Sequence, residues 1–236
     1  MIPWELLGRA TVPEQSNRPG QGQEIGSGSE LVLYKRGEEY SIRVDNWELM
    51  NSRSYGSEEE VAVLACERLF DVAAPCVLVG GLGLGFTLRT ALDQVSASSR
   101  VVIAELVPEV VTWNREFFGH LAQHPLDDER VEVYLGDAAE CIRSRPDTHD
   151  AIILDVDNGP HTKQTSSEGW LYSLEGLAAI RRSLRSRGIV SIWSTGPADA
   201  FTRRIEQQGF DVEEVTSRGR GGRGTIHHLW IAQRDD

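Results

Sequence analysis

What the chain has little of narrows its possibilities first. Its three cysteines, Cys66, Cys76 and Cys141, are odd in number, sit in apolar segments and lack the spacing of a metal site or a disulfide framework. They read as reduced thiols in the core of a cytoplasmic protein that holds no metal. Basic residues are scarce: 24 Lys and Arg against 36 Asp and Glu leave a formal charge of −12. Phosphate backbones are gripped by Lys and Arg, so a nucleic acid is disfavoured as the main partner, while a small cation suits the balance. No apolar run approaches the roughly 18 residues of a membrane span, and nothing reads as a signal peptide, so no membrane partner is expected. A GKS or GKT triplet is missing too, which disfavours a phosphate loop.

What is present is concentrated between Cys76 and Glu105. Cys-Val-Leu-Val-Gly is a short apolar run, Gly81, Gly83 and Gly85 follow, and Phe86, Leu88, Ala91, Leu92 and Val95 recur at helical spacing before a second apolar run ends on Glu105. The pattern predicts a buried strand, a tight turn, a helix and a second buried strand. Glycines in such a turn let backbone approach a ligand where a Cβ would intrude. Glu105 stands 20 residues beyond Gly85, where an acid at a strand end accepts hydrogen bonds from ribose hydroxyls. A dinucleotide fingerprint beginning at Gly81 would need glycine or alanine where Phe86 stands, so NAD is disfavoured. The remaining pattern, GxGxG with an acid at the next strand end, is of the kind that holds S-adenosyl compounds.

Around this unit the alternation continues. Residues 1–56 read as an N-terminal segment: a short apolar stretch, a Gly/Ser/Gln-rich linker over residues 13–30, and a β-hairpin over Leu31–Met50. Ser57 and Glu60 form the spacing of a capping box that opens a helix through Leu69. Residues 57–236 then read as one nucleoside-binding domain. Helices are expected over Pro108–Ala122, Ala138–Arg145, Leu174–Arg185 and Ala198–Gln208, and strands over Val131–Leu135, Ala151–Leu154 and Gly188–Trp193. Asp211–Thr216 and His228–Ala232 have no helix between them and predict an antiparallel hairpin whose loop carries Arg218, Arg220 and Arg223. The fold class is therefore α/β: a doubly wound, Rossmann-like sheet of the methyltransferase type with a C-terminal antiparallel hairpin, plus a short N-terminal hairpin.

Acidic residues end three consecutive strands: Glu105, Asp137, and the pair Asp155 and Asp157. Ligands of a doubly wound sheet bind at that rim. Asp137, just before a helix, is as well suited to capping as to ligation, and the segment from Asp155 to Pro160 also has the composition of a plain turn. A carboxylate pair beyond the nucleoside has a clear use, because an amine nucleophile is protonated at neutral pH and must surrender a proton to attack.

Gly80 to Arg89, the Glu105 strand, Gly136-Asp137-Ala138, Asp150 to Asp155 with Gly159-Pro160, and Leu171 to Glu175 together resemble the spermidine synthase family of aminopropyltransferases. The resemblance implies a small β-domain on a methyltransferase-like domain, usually as a homodimer, and transfer of an aminopropyl group from decarboxylated S-adenosylmethionine to a small cationic amine. It implies Glu105 as the ribose acid and Asp137 as the adenine-binding acid. Asp155 and Asp157 become the catalytic acids of the amine side. The family's GGGDGG motif, aligned on Arg89, puts its aspartate at Leu84, which removes a counter-charge for the donor's ammonium. Two alternatives stay open: an S-adenosylmethionine-dependent methyltransferase, favoured by Leu84, and a non-catalytic nucleoside-binding or dimerising homologue, favoured by a β-region reduced to a hairpin.

Overall fold

The computed structural model describes residues 2–13, 28–44, 47–156, 159–160, 167–220 and 223–235. Its larger sheet is built from β5 (Cys76–Gly80), β6 (Arg100–Glu105), β7 (Val131–Leu135), β8 (His149–Leu154), β9 (Leu184–Ser194), β10 (Phe210–Arg220) and β11 (Arg223–Arg234). The order is β10-β11-β9-β8-β5-β6-β7, parallel from β9 to β7 and antiparallel where β11 pairs with β9 and β10. This is the doubly wound sheet with a closing hairpin that the α/β alternation predicts. The order reverses between β5 and β8, so their carboxyl ends open a crevice.

The period of two along each strand splits the apolar residues between the faces. Val77, Val79, Val101, Ile103, Ala151 and Ile153 pack on one side against α1 (Gly56–Cys66), α2 (Phe86–Gln94) and α3 (Pro108–Trp113). Leu78, Val102, Ile152, Leu154 and Ile192 face the other side, against α4 (Ala138–Ser144), α5 (Ser167–Leu171), α6 (Leu174–Ser183) and α7 (Asp199–Gln207). Each valine, leucine or isoleucine among them, fully covered, contributes about 1.5–3 kcal/mol. The helix expected over Pro108–Ala122 runs on from α3 through a π-helical turn at Asn114–Phe118 and a 3-10 turn at Gly119–Ala122.

The N-terminal region is larger than the expected hairpin. β1 (Glu5–Thr11), β2 (Glu30–Arg36), β3 (Glu39–Val44) and β4 (Trp47–Asn51) form a four-stranded antiparallel sheet in that order. The register pairs Leu33 with Ile42 and Leu31 with Val44, so these four side chains share the buried face. They belong to the same apolar cluster as α1, α3 and one face of the large sheet. The four-stranded sheet removes the ground for a non-catalytic reading that rested on a reduced β-region. The residues expected as a linker lie mostly outside the described residues.

Two further expectations are corrected. The capping box does not form: α1 begins two residues earlier, with Tyr55 rather than Ser57 at its cap position, and Ser57 Oγ donates to the adjacent Glu58 Oε2 at 2.8 Å. Glu60 instead accepts a hydrogen bond from Ser217 Oγ of β10. The arginine-rich segment is not a long solvated loop either, because the β10–β11 ladder continues out to Arg220 and Arg223. Among the tryptophans expected in apolar settings, Trp113 is buried, Trp170 lies under the Arg143 guanidinium at 4.4 Å, and Trp193 leans on the His227 ring at 4.8 Å. All three thiols are free and buried, and burial pushes the Cys66 thiol up to about 12. No described helix is long and apolar enough to cross a membrane.

Candidate functional site

Hydrogen bonds continue past the strand ends and align the acidic rim. Gly81 N–H donates to the Ala104 carbonyl at 2.9 Å, Gly136 N–H to the Glu105 carbonyl at 2.9 Å, and Asp155 N–H to the Gly80 carbonyl at 3.0 Å. These bonds bring Glu105, Asp137 and Asp155 to one cleft. Leu106, Val107 and Val110 line its wall beyond Glu105, and Val156 and Leu171 line it beside Asp155. The opposite wall comes from the N-terminal sheet and its flank, through Val12, Leu31, Ile42, Leu49 and Met50. Apolar walls with a few convergent acids have the character of a small-molecule site.

Glu105 is buried and fixed by backbone. Its Oε2 accepts from Leu82 N–H at 2.9 Å and its Oε1 from Val107 N–H at 2.8 Å. Burial raises its pKa and the surrounding backbone N–H groups oppose that rise. A carboxylate offers about four lone-pair sites, and these two bonds use one on each oxygen. Glu105→Gln turns one oxygen into an amide that cannot accept, leaving either Leu82 or Val107 N–H unpaired. The expected cost is about 1–3 kcal/mol, read as a fall in Tm of the isolated protein. An unchanged melting profile would contradict this.

Asp137 takes the capping role that its position allows. Its Oδ1 caps α4 by accepting from Ala139 N–H at 2.8 Å, and the residue also lines the cleft. The three glycines differ more than their motif implies. Gly81 and Gly83 line the cleft, whereas Gly85 caps α2 with φ +94° and has its Cβ direction blocked by Asn114 and Pro125 rather than by cleft space. Leu84, at the motif's central position, is 4% exposed and packs in the core.

Asp155 lines the cleft, and its Oδ2 accepts from Thr87 Oγ1 at 2.7 Å. Asp157 lies outside the described residues. A second acid, Glu58 in the first turn of α1, lies within electrostatic reach of Asp155. Burial, and then the Asp155 charge, push Glu58 up to about 7, and burial pushes Asp155 up to about 6. The two values belong to the pair, in which each acid keeps its proton to higher pH than an ordinary carboxylate. Raised acids favour the folded state below the ordinary carboxylate pKa and lose that contribution as pH rises toward neutrality. Glu58→Gln is therefore expected to melt above the parent at pH 8, by about 2–4 °C per kcal/mol relieved, with the gap closing by pH 5. Taking the difference between the two profiles cancels His149, whose buried ring, lowered to about 4, acts in the opposite sense. A pH-independent gap would overturn this reading of the pair. The signals for Glu58 and Thr87 were an acidic run opening a helix and a hydroxyl one residue beyond Phe86. No cluster of three or more His, Cys, Asp or Glu suited to a metal occurs among the described residues.

Comparison with known proteins places the chain in a family. Over 118 residues, 48% of this chain and 39% of the relative, the sequence is 33% identical to a polyamine aminopropyltransferase of Pyrobaculum calidifontis. Over 125 residues, 50% of this chain and 31% of the relative, it is 34% identical to putrescine N-methyltransferase 2 of Nicotiana attenuata. The chain thus spans less than half the length of these relatives. In fold it is similar to spermidine synthase from Thermotoga maritima, with a TM-score of 0.70 at 19% identity over 91% of this chain and 71% of that one. A spermidine synthase in complex with the transition state analogue AdoDATO superposes with a TM-score of 0.72 at 19% identity, covering 91% of this chain and 72% of that one. The model of the spermine/spermidine synthase domain matches residues 69–199, more than half of the chain and all of the acidic rim, so the protein belongs to the spermine/spermidine synthase family.

Proposed function

We propose that the cleft binds an S-adenosyl nucleoside and that the protein transfers an aminopropyl group from decarboxylated S-adenosylmethionine to a small cationic amine. The observation that carries the reading is the convergence of Glu105, Asp137 and Asp155, from three strand ends, on one cleft beside the Gly81–Gly83 turn. Glu105 takes the ribose hydroxyls with its remaining lone pairs, and Asp137 the adenine amino group. Asp155, with Asp157 as its expected partner, faces the acceptor amine. The donor supplies a carbon made electrophilic by the adjacent sulfonium. Asp155 takes the proton that the amine must lose as its nitrogen bonds to that carbon; the C–S bond breaks, its electron pair goes to sulfur, and methylthioadenosine leaves. Positioning and one base carry such a displacement.

Methyl transfer to an amine on the same scaffold is the second reading. It is supported by Leu84, whose burial leaves no charge at the motif's central position, and by the relative named putrescine N-methyltransferase 2. Titration of the purified protein with S-adenosylmethionine, its decarboxylated form and methylthioadenosine separates the two. Tighter binding of the decarboxylated donor supports aminopropyl transfer, preference for the carboxylated form supports methyl transfer, and binding of none removes both.

A further inference from the structure

The register of the N-terminal sheet sets its residues in rows across the four strands. Gly8, Leu33, Ile42 and Met50 stand opposite one another in one row, and Ala10, Leu31, Val44 and Trp47 in the next. Directly opposed residues of an antiparallel ladder share a face, so Trp47 is on the face whose Leu31, Ile42 and Met50 line the cleft. The register breaks between the two rows and leaves Leu49 unpaired, a bulge that turns both Leu49 and Met50 into the cleft. The two edges of the sheet meet different parts of the large domain. On β1, Gly8 faces the Trp113 ring of α3, whereas on β4, Met50 Sδ lies against Gly83 of the glycine turn. Trp47 therefore ends its row on the side of the glycine turn.

The other five tryptophans have their rings occupied. Trp113 and Trp230 are buried. Trp4, on the outer face of the same sheet, carries the Arg36 and Arg43 guanidinium groups at 4.4 and 5.0 Å. Trp170 carries Arg143 at 4.4 Å, and Trp193 the His227 ring at 4.8 Å. Trp47 is 82% exposed and meets no ring, cation or hydrogen-bond partner among the described residues. Across the cleft the glycine turn offers a cation nothing, because Leu84 at its centre is buried in the core. An indole face attracts a cation through its quadrupole, more strongly than any other aromatic side chain.

We propose that Trp47 closes over the cleft mouth and lays its indole face on the sulfonium of the bound donor. This rests on reading the cleft as an S-adenosyl-dependent transferase site, with the ribose on Glu105 and the 5′ substituent running across the glycine turn toward Asp155. It holds for an aminopropyl or a methyl donor, since both carry the same sulfonium. Rotation of an exposed edge-strand side chain between staggered rotamers suffices for the closure. The attraction ends when the C–S bond breaks, because sulfur leaves as a neutral thioether. Trp47 thus favours donor over spent nucleoside, acting on donor affinity and product release rather than on proton transfer.

The test compares S-adenosylmethionine with S-adenosylhomocysteine, which differ by one methyl group and the charge on sulfur, in titrations of the full chain. The decarboxylated forms of both are titrated alongside. The parent should hold each sulfonium more tightly than its thioether. Trp47→Leu should bind the sulfonium about 5- to 30-fold more weakly and the thioether no more than about twofold more weakly, while Trp47→Phe keeps part of the preference. Both variants should melt as the parent does, because the side chain is exposed. Acrylamide quenching gives a second readout: saturation with sulfonium should shield the accessible tryptophan of the parent and change nothing in Trp47→Phe. An affinity ratio equal in parent and Trp47→Leu, or a Trp47 still open to acrylamide in the sulfonium complex, overturns the role of Trp47 while the nucleoside site stands. Failure of the parent to bind any of the four compounds overturns the transferase reading, and this inference with it.

Discussion

Alanine at position 81 is expected to abolish nucleoside binding and to lower stability by about 3–5 kcal/mol. Gly81 has φ +87°, where L-residues are strained, and a Cβ built there lies 2.1 Å from the Asp155 carbonyl oxygen. Neither side can yield cheaply. Gly81 N–H is bonded to the Ala104 carbonyl and Asp155 N–H to the Gly80 carbonyl, so relief would tear the ends of β5, β6 and β8 apart. Any relaxation also drags Asp155 and Val156 out of the cleft wall. Gly83→Ala is the control: its φ of +49° is within reach of an ordinary residue, and the new Cβ meets the flexible Met50 Sδ at 2.9 Å. It should cost about 1 kcal/mol. Thermal melting and a methylthioadenosine titration of both variants check this; an alanine-81 protein that melts and binds like the parent would refute the account of the turn.

The second large effect is expected at Asp155. Asp155→Asn should lower turnover of the amine by about 10²–10⁴ while leaving nucleoside affinity within a few-fold of the parent. The asparagine oxygen can still accept from Thr87 Oγ1, so the loop keeps its place and only the proton acceptor is lost. In the parent, kcat/KM should rise with pH through the raised range of the Glu58–Asp155 pair, because a base must be ionised to work. That rising limb should vanish in the residual activity of the variant. Steady-state rates from pH 5 to 9, with whichever donor binds, read both effects, and turnover within threefold of the parent would exclude Asp155 as the base.

What was legible in the sequence is what rests on short-range pattern. The runs at Val77–Val79, Val101–Ala104 and Ala151–Leu154 are apolar because both faces of a central parallel strand are covered, and each is followed by glycine or an acid. The rim acids followed from those ends. The N-terminal sheet was only half legible. β1 is separated from its partner β2 by residues 12–29, and its burial pattern does not alternate cleanly, because Gly8 sits at a register break against the Trp113 ring. Ser57 and Glu60 had capping spacing, yet Glu60 is claimed by Ser217, a contact across 157 residues that no local window contains. Glu58 was invisible for the same reason: its partner Asp155 is brought to it by the packing of α1 on the sheet, and acidic residues in a first helical turn are ordinary company for the helix dipole.

The sheet of β1 to β4 has a further consequence for exchange with solvent. Leu31 and Ile42 belong at once to the cleft wall and to the apolar cluster under the large sheet, so β2 and β3 cannot open without emptying the cleft. The amide protons of those two strands are thereby made a clock of occupancy. A ligand that fills the cleft slows their exchange by the factor 1 + [L]/Kd, while amides that open without disturbing the cleft keep their pace.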